Sequence, residues 1–299
     1  MSEPRRFEWP TIATLLFCYA LFALGSTWAS AIWLPLGMVL TTGAIVLHSS
    51  LSHEMLHGHP FKNRHLNAAL VFPALCIAIP YMRFRDTHLA HHVDSQLTDP
   101  YDDPESNFLD PEVWRTLGNF QRAALQFNNT LAGRMLIGPL IGQWSFMRSD
   151  FALIRAGDKR VLLGWLWHIP AMILPLWWIG AVSHMPIWAY LLCVYVALSV
   201  LKIRTYLEHR AHEIACGRTV VIEDRGLLAF LFLNNNFHSV HHKHPGTAWY
   251  DLPAIYAARK EQFLRMNDGY LYRSYRDVFK NHFFKAKDPV PHPLWSKES

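Results

Sequence analysis

Hydrophobic positions are concentrated in four long runs of this chain, and polar residues fill the stretches between and after them. The runs cover residues 10–28, 31–48, 161–181 and 185–203. A helix needs about 20 mostly apolar residues to cross a hydrocarbon layer roughly 30 Å thick, and each run is close to that length. The pattern therefore predicts about four transmembrane helices and an all-α membrane protein.

Shorter apolar patterns lie between the second and third predicted spans. Residues 66–82 contain an asparagine and two prolines, which favour a re-entrant or interfacial hairpin over a crossing helix. Apolar residues recur at helical spacing over residues 111–127 and predict an amphipathic helix that lies on the membrane or caps a site. Residues 131–147 are expected to be a further interfacial segment.

The distribution of positive charge predicts the orientation of the spans. Lysine and arginine are absent from residues 7–61 and 161–201, so the short connections near residues 26–30 and 182–186 are expected to face outward. All 28 lysine and arginine residues then lie on the cytoplasmic side. We interpret residues 1–299 as a single membrane domain, with a cytoplasmic insert at 83–160 and a cytoplasmic helical cap at 204–299.

Composition supports a membrane location and limits the partners. The chain is 51% hydrophobic and 17% charged, whereas soluble domains have roughly 25% charged residues. The net charge of +5 suits anionic lipid or an acidic protein partner, and no feature suggests nucleic acid. The four cysteines, Cys18, Cys76, Cys193 and Cys216, show no CxxC pairing and are interpreted as reduced core residues.

Eight histidines fall into three boxes next to the apolar runs, HEMLH, HLAHH and HSVHH. Residues three and four apart share a helix face, so each box is expected to direct its imidazoles toward one point. Imidazole suits iron, zinc and copper, and eight ligands are too many for one ion, so the count predicts two transition metals. The box histidines are His53, His57, His88, His91, His92, His238, His241 and His242.

Two other interpretations of the boxes remain possible at this point. HEMLH alone matches the HExxH motif of zinc proteases, in which both histidines bind zinc and the glutamate is the general base. A protease needs one further ligand, whereas the chain adds six histidines in two HxxHH boxes. A non-catalytic membrane scaffold or metal store would not require three convergent boxes.

The three boxes resemble those of the membrane fatty acid desaturase and hydroxylase superfamily. The stretches HLAHHVDSQLTDPYDDPES and NNNFHSVHHKHPGTAWYDLP are similar to its bacterial fatty acid desaturase branch. The resemblance implies two iron ions held by the eight box histidines. It also implies a ninth ligand between the second and third boxes, for which His209 is the match and His212 the alternative. No catalytic residue is implied beyond the metal centre.

The function implied by the resemblance is O2-dependent oxidation of an unactivated C–H bond. The expected substrate is a membrane lipid or acyl chain that is desaturated; the alternative is hydroxylation or ketolation of an alkyl, lipid or carotenoid substrate at the same site. The chain has no GxGxxG motif, flavin motif or cysteine cluster, so an external electron donor is expected: a ferredoxin, a rubredoxin, or cytochrome b5 with its reductase. The expected location is the plasma membrane, which is the inner membrane in bacteria, with the boxes on the cytoplasmic side.

Polar residues near the boxes are candidates to support the ligands. A metal-bound imidazole usually donates its second N–H to a carboxylate or carbonyl. Acidic residues close in sequence to the boxes are Glu54, Asp94, Asp99, Asp102, Asp103, Glu105 and Glu208. The alternative for the DPYDDPES segment is a polar turn. Asn234, Asn235 and Asn236 are expected either to bind a metal-bound water or to cap a helix.

The remaining histidines have weaker patterns. His48 and His59 flank the first box and are either hydrogen-bond partners of ligands or packing residues. His244 lies in HPGT, which resembles a haem-binding HPGG motif, but no haem domain surrounds it. The others are expected to be structural or solvent-facing: His65, His168, His184, His282 and His292.

Overall fold

The computed structural model describes residues 7–93 and 96–295, and the chain is predominantly helical in these residues. Within them, four helical segments are long and apolar enough to cross a membrane: Trp9–Ile32, Leu34–Leu56, Lys159–Ala181 and Ile187–Thr205. These segments overlap the four predicted spans, so the prediction of an all-α membrane protein is confirmed.

The helices are numbered in chain order. In the first half they are α1 (Trp9–Leu24), α2 (Ser30–Ile32), α3 (Leu34–Leu56), α4 (Arg64–Leu70), α5 (Tyr81–His91), α6 (Pro111–Thr116), α7 (Asn119–Asn128), α8 (Leu131–Leu136) and α9 (Gly138–Arg155). In the second half they are α10 (Lys159–Ala181), α11 (Ile187–Thr205), α12 (Leu227–Leu231), α13 (His238–Lys243), α14 (Leu252–Ala258), α15 (Lys260–Met266) and α16 (Tyr275–His282). Two short strands, β1 (Val221–Ile222) and β2 (Leu271–Tyr272), pair in parallel.

Helix α3 lies at the centre of the membrane bundle, between α1 and α11. Buried thiols link the three helices: Cys18 of α1 donates to the carbonyl of Ala44 at 3.3 Å, and Cys193 of α11 donates to that of Met38 at 3.5 Å. Cys18, Cys76 and Cys193 are buried free thiols as predicted, whereas Cys216 is exposed. This packing places the end of α3, which carries the first box, beside the end of α11.

The first two spans meet at Trp33, so the connection predicted near residues 26–30 is wrong. That stretch is helical and includes a π-helical turn at Gly25–Ala29. The hydroxyls of Ser26, Thr27 and Ser30 donate to carbonyls four or five residues earlier, at 2.6 to 2.8 Å. These polar side chains are therefore satisfied inside the helix and do not end it. The connection predicted at residues 182–186 does lie between α10 and α11.

Residues 71–80 form an irregular hairpin between α4 and α5, and no helix crosses there. Helices α10 and α11 hydrogen-bond some of its backbone groups. The N–H of Ala74 donates to the carbonyl of Ala171 in α10 at 3.0 Å, and the hydroxyl of Tyr190 in α11 donates to the carbonyl of Leu75 at 2.8 Å.

The acceptor in α10 is available because of a proline. Pro175 lies four residues after Ala171 and has no N–H, so the Ala171 carbonyl lacks its usual helical partner. Non-helical backbone at membrane depth must be hydrogen-bonded within the protein, and these contacts meet that requirement. A re-entrant position for residues 66–82 stays our prediction.

The single amphipathic helix predicted over residues 111–127 is wrong, because the chain folds there as α6 and α7. Leu117 and Gly118 between them are extended, and the Gly118 N–H donates to Gln121 Oε1 at 3.0 Å, which caps α7. Residues 131–147 are helical and belong to α8 and α9. Exposed apolar residues follow one side of these helices: Leu136, Leu140, Trp144, Met147 and Phe151. An interfacial position for them stays a prediction.

A buried ion pair fixes the helix that carries the second box. Arg83 of α5 forms two hydrogen bonds with Asp150 of α9, both at 2.8 Å. The indole N–H of Trp165 in α10 donates to the same carboxylate at 2.9 Å. Three helices thus share one polar contact, and it orients α5 relative to the bundle.

Candidate metal centre

Nine histidines converge beneath the ends of α3 and α11. The first box comes from the last turn of α3 and the residue after it, the second from the last turn of α5 and the residue after it, and the third from the short helix α13. His209 joins them from the loop after α11, where its backbone bridges to Thr219. All nine histidines predicted as ligands therefore lie in one place.

The nine imidazoles form two groups, in each of which the potential ligand atoms lie within 4.8 Å of one another. The five-histidine group consists of His53, His57, His88, His92 and His241. The four-histidine group consists of His91, His209, His238 and His242. The groups adjoin, since the ring centroids of His92 and His242 are 4.4 Å apart.

The expectation that each HxxHH box directs its imidazoles toward one point is wrong, because each of these boxes is divided between the groups. In every box, histidines four residues apart belong to the same group. The middle histidine of each HxxHH box belongs to the group that the rest of its box does not: His91 to the four-histidine group and His241 to the five-histidine group. Adjacent helical residues point about 100° apart because a turn holds 3.6 residues. The HH pair at the end of each box therefore serves both groups.

The geometry of the five-histidine group fits a bound cation. The Nε2 atom of His88 lies 3.2 Å from the Nε2 of His57 and 3.0 Å from the Nε2 of His92. The Nε2 atoms of His92 and His241 are 3.2 Å apart. Nitrogens about 2.1 Å from one ion are about 3 Å apart when their bonds are at right angles. The Nε2 atom of His53 is buried without a hydrogen-bond partner, a costly arrangement that an ion would relieve.

The four-histidine group shows the same property. The Nε2 atom of His209 lies 2.8 Å from that of His91 and 3.0 Å from that of His238. The Nδ1 atom of His91 contacts Asp103 at 2.7 Å, and that of His238 contacts Asn235 Oδ1 at 3.4 Å. When these Nδ1 atoms carry the protons, both Nε2 lone pairs point at His209, and one N–H cannot satisfy them both. A cation can.

Four of the predicted acidic residues lie beside ligand imidazoles. Asp103 accepts from His91, and Glu105 accepts from the Nδ1 of His88 at 3.0 Å. Glu208 lies 3.7 Å from the Nδ1 of His238. Glu54 lies 3.8 Å from the Nδ1 of His53 and accepts the N–H of Trp249 at 3.2 Å. Asp99 instead accepts the N–H groups of Tyr101 and Asp102 in a turn, and the Asp102 side chain is exposed. Asp94 lies outside the described residues.

The other candidates have structural contacts. His212 lies 3.3 Å from Asp268 and outside both groups, whereas His209 lies within the four-histidine group. His59 pairs with Glu8 at 2.9 Å, and His48 lies 3.4 Å from the hydroxyl of Tyr19. Of the asparagines, Asn235 donates to Glu208 at 2.8 Å, and the other two donate to backbone carbonyls.

Two charged residues at the site were not predicted from the sequence. Arg204 lies 3.1 Å from Glu208, and the i,i+4 spacing of this pair was a usable signal. Lys287 donates to the backbone carbonyl of His209. No local pattern indicates that contact, because the two residues are far apart in the chain.

Burial determines the protonation of most of these imidazoles. Burial and the neighbouring imidazoles lower the pKa of His57 to about 2, and they also lower the pKa values of His209 and His238. Burial opposes protonation of His91 too, but Glu105 and the hydrogen bond to Asp103 outweigh it and raise its pKa to about 9. Most lone pairs are thus free to bind a cation, and His91 would release a proton on binding one.

Comparison with known proteins agrees with this geometry. The sequence profile described as Fatty acid desaturase matches residues 26–274, a region that includes both histidine groups. A comparison with curated proteins finds no similar sequence. Because the profile covers most of the chain, and because the histidines of all three boxes converge, the chain belongs to the Fatty acid desaturase family.

Proposed function

We propose that this protein is a membrane oxidoreductase that uses two iron ions, O2 and external electrons to introduce a double bond into a fatty acyl or lipid chain. Family membership implies an oxidoreductase of the desaturase or hydroxylase type. The observation that carries the finer proposal is the convergence of nine imidazoles into two adjoining groups. One zinc ion takes at most four protein ligands, so this set does not suit a zinc protease.

Each histidine group would hold one iron ion, because imidazole nitrogen suits iron. The bound ions would supply O2 activation and the removal of hydrogen from an unactivated C–H bond. The chain fixes the orientation of the ligands. Asp103 and Glu105 accept the Nδ1 protons of His91 and His88 and so keep the Nε2 lone pairs directed inward.

The burial of the groups supports chemistry that excludes water. Six of the nine histidines are buried, and His57, His92 and His209 are partly exposed. Two of these three belong to the five-histidine group. We therefore place the reacting carbon of the substrate on the side of that group, where an acyl chain can approach without displacing a buried support.

Electrons would arrive from a separate carrier at the cytoplasmic face of the plasma or bacterial inner membrane. The distribution of lysine and arginine supports that orientation of the histidine groups. A net charge of +5 favours an acidic carrier, such as a ferredoxin, a rubredoxin or cytochrome b5.

Lipid analysis of cells that express the chain tests the reaction. We expect unsaturated acyl chains with two hydrogen atoms fewer than their precursors, detected by mass spectrometry. The variant His241→Ala should abolish them, because it removes a ligand of the five-histidine group. The control His184→Ala, at an exposed position between α10 and α11, should form as much product as the unmodified protein.

Two other outcomes would contradict desaturation. A product with one oxygen atom more than its precursor would indicate the hydroxylase or ketolase alternative at the same site. Lipid oxidation would be excluded if the purified, iron-loaded protein left added lipid unchanged in the presence of O2 and a reducing carrier.

A further inference from the structure

We infer that the C-terminal segment at residues 287–295, here called the strap, positions the ligands of the four-histidine group, and that His292 is its main positioning residue. This inference rests on the proposed function in one respect, namely that the group holds a metal ion. It assigns a role to a histidine that the sequence pattern leaves without one.

A continuous series of buried contacts leads from the strap to a ligand. The Nε2 atom of His292 lies 3.1 Å from the hydroxyl of Thr98. The backbone N–H of Thr98 donates to Asp103 Oδ2 at 2.9 Å, and Asp103 Oδ1 accepts from the Nδ1 of His91 at 2.7 Å. All four residues are at most 7% exposed, so water does not compete for these contacts.

The direction of the first hydrogen bond follows from the surroundings of His292. Its Nδ1 atom accepts the N–H of Leu294 at 3.1 Å, so the imidazole proton is on Nε2 and is donated to Thr98. Burial and the charge of Arg218 lower the pKa of His292, which keeps it in this neutral form. His292 therefore acts as a fixed donor.

Thr98 explains why such a donor is needed. Its backbone has φ of 72°, in the left-handed region that β-branched residues rarely adopt. In this conformation its N–H reaches Asp103 while its hydroxyl reaches His292. Without the contact to His292, Thr98 is expected to relax to an ordinary conformation and to withdraw its N–H from Asp103.

The backbone of the strap also pairs with residues 96–110, here called the acidic loop, which contains Asp103. Leu109 donates its N–H to the carbonyl of Val290 at 3.0 Å, and His292 donates its N–H to the carbonyl of Leu109 at 2.8 Å. At the end of the strap, the indole N–H of Trp295 donates to Asp99 Oδ2 at 3.0 Å.

A second connection reaches the same histidine group. Lys287, at the start of the strap, donates to the backbone carbonyl of His209. Both connections therefore lead to ligands of the four-histidine group, His91 through Asp103 and His209 directly. Loss of the strap contact should affect the metal of this group more than that of the five-histidine group.

Two substitutions of His292 separate hydrogen bonding from packing. His292→Leu keeps an apolar side chain of similar size but removes the donor, whereas His292→Gln retains an N–H donor near the position of Nε2. The matched control is His282→Leu, because His282 also lies near the C-terminus and also has one side-chain partner, the hydroxyl of Tyr272 at 2.7 Å.

The first measurement is the iron affinity of the full-length purified protein by chelator competition, together with iron content per chain. For His292→Leu we expect one iron, that of the four-histidine group, to lose at least about tenfold in affinity, the lower end of the range for groups that orient metal ligands, while the other iron is retained. His292→Gln and His282→Leu should bind both ions as the unmodified protein does.

The second measurement is amide hydrogen exchange of the metal-free protein, which does not depend on the proposed function. Residues 96–110 should exchange faster in His292→Leu and at the original rate in His292→Gln. Unchanged exchange in this segment, or iron loss of the same size in His292→Leu and His282→Leu, would overturn the inference. Failure of the unmodified protein to bind two ions would instead contradict the proposed function, and the exchange result would still decide the role of the strap.

Discussion

The two histidine groups differ in how their imidazoles are supported. In the four-histidine group, His91 pairs with an Asp103 side chain that is only 2% exposed. In the five-histidine group, His88 pairs with a Glu105 side chain that is 27% exposed. Of the two carboxylates that accept a hydrogen bond directly from an imidazole Nδ1, the one at the four-histidine group is therefore the more deeply buried. If each group holds one iron as proposed, we expect the five-histidine group to depend more on its number of histidines and the four-histidine group more on the buried partner of His91.

Removal of a ligand should have the largest effect and should expose this difference directly. His238→Ala leaves three histidines in its group, whereas His53→Ala leaves four in the other. We expect His238→Ala to lose one iron per chain and at least about 100-fold in product formation, since even the partners of ligands account for 10- to 100-fold in affinity. His53→Ala should retain more iron. Equal iron loss in both variants, measured by elemental analysis, would contradict the comparison.

Loss of the Arg83–Asp150 pair should affect both groups together. Helix α5 carries histidines of each, so Asp150→Ala, which removes both hydrogen bonds of the buried Arg83 and leaves it, among the described residues, only the ion pair with Asp86 at 3.8 Å, should lower the free energy of unfolding by about 3–5 kcal/mol. Chemical unfolding in detergent measures this change. Arg115→Ala removes an exposed ion pair with Glu112 and is the control, for which we expect no measurable change. Selective loss of one iron in Asp150→Ala would show that α5 does not couple the groups.

The carboxylate partners allow a finer comparison. Asp103→Asn and Glu105→Gln each remove a charge while keeping the size of the side chain. We expect a loss in iron affinity of about 100-fold at the four-histidine group for the first and of about tenfold at the five-histidine group for the second. The shorter and better-buried contact of Asp103 is the reason for the order. Chelator competition on both variants would refute this ranking if Glu105→Gln had the larger effect.

The smallest effect is expected away from both groups. Tyr190→Phe removes the hydrogen bond to the carbonyl of Leu75 in the 71–80 hairpin and should cost about 1 kcal/mol of unfolding free energy. Iron content should stay that of the unmodified protein, because the hairpin supplies no ligand. A change in iron content would show that the hairpin also holds α5 in place.

The convergence of the box histidines was predictable because helical spacing is a local property. All nine histidines were identified before the structure was known, eight of them from box spacing and His209 from the family resemblance. Which histidines of different boxes share a group was not predictable, since it depends on how distant parts of the chain orient α5 and α13 relative to each other. For the same reason, the sequence could not select Asp103 and Glu105 from seven acidic candidates.

The errors in the predicted helices have local causes that the pattern of hydrophobic residues does not show. The first connection lies at Trp33, later than predicted, because the hydroxyls of Ser26 and Ser30 form hydrogen bonds within the preceding helix. The helix predicted over residues 111–127 is broken at Gly118, although apolar residues continue at helical spacing across it. The four spans themselves were predictable, because length and hydrophobicity determine them.

Because Pro175 has no N–H, the Ala171 carbonyl is free to accept a hydrogen bond from the 71–80 hairpin. The final position of the hairpin therefore depends on a part of the chain that the ribosome synthesises later. The hairpin leaves the ribosome before α10 and α11, so the Ala171 carbonyl and the Tyr190 hydroxyl are not yet present to receive it. Helix α5, whose last turn carries most of the second box, directly follows the hairpin, so we expect the box to reach its final position only after α10 and α11 are in place. Iron is therefore expected to enter the protein only after translation and membrane insertion are complete.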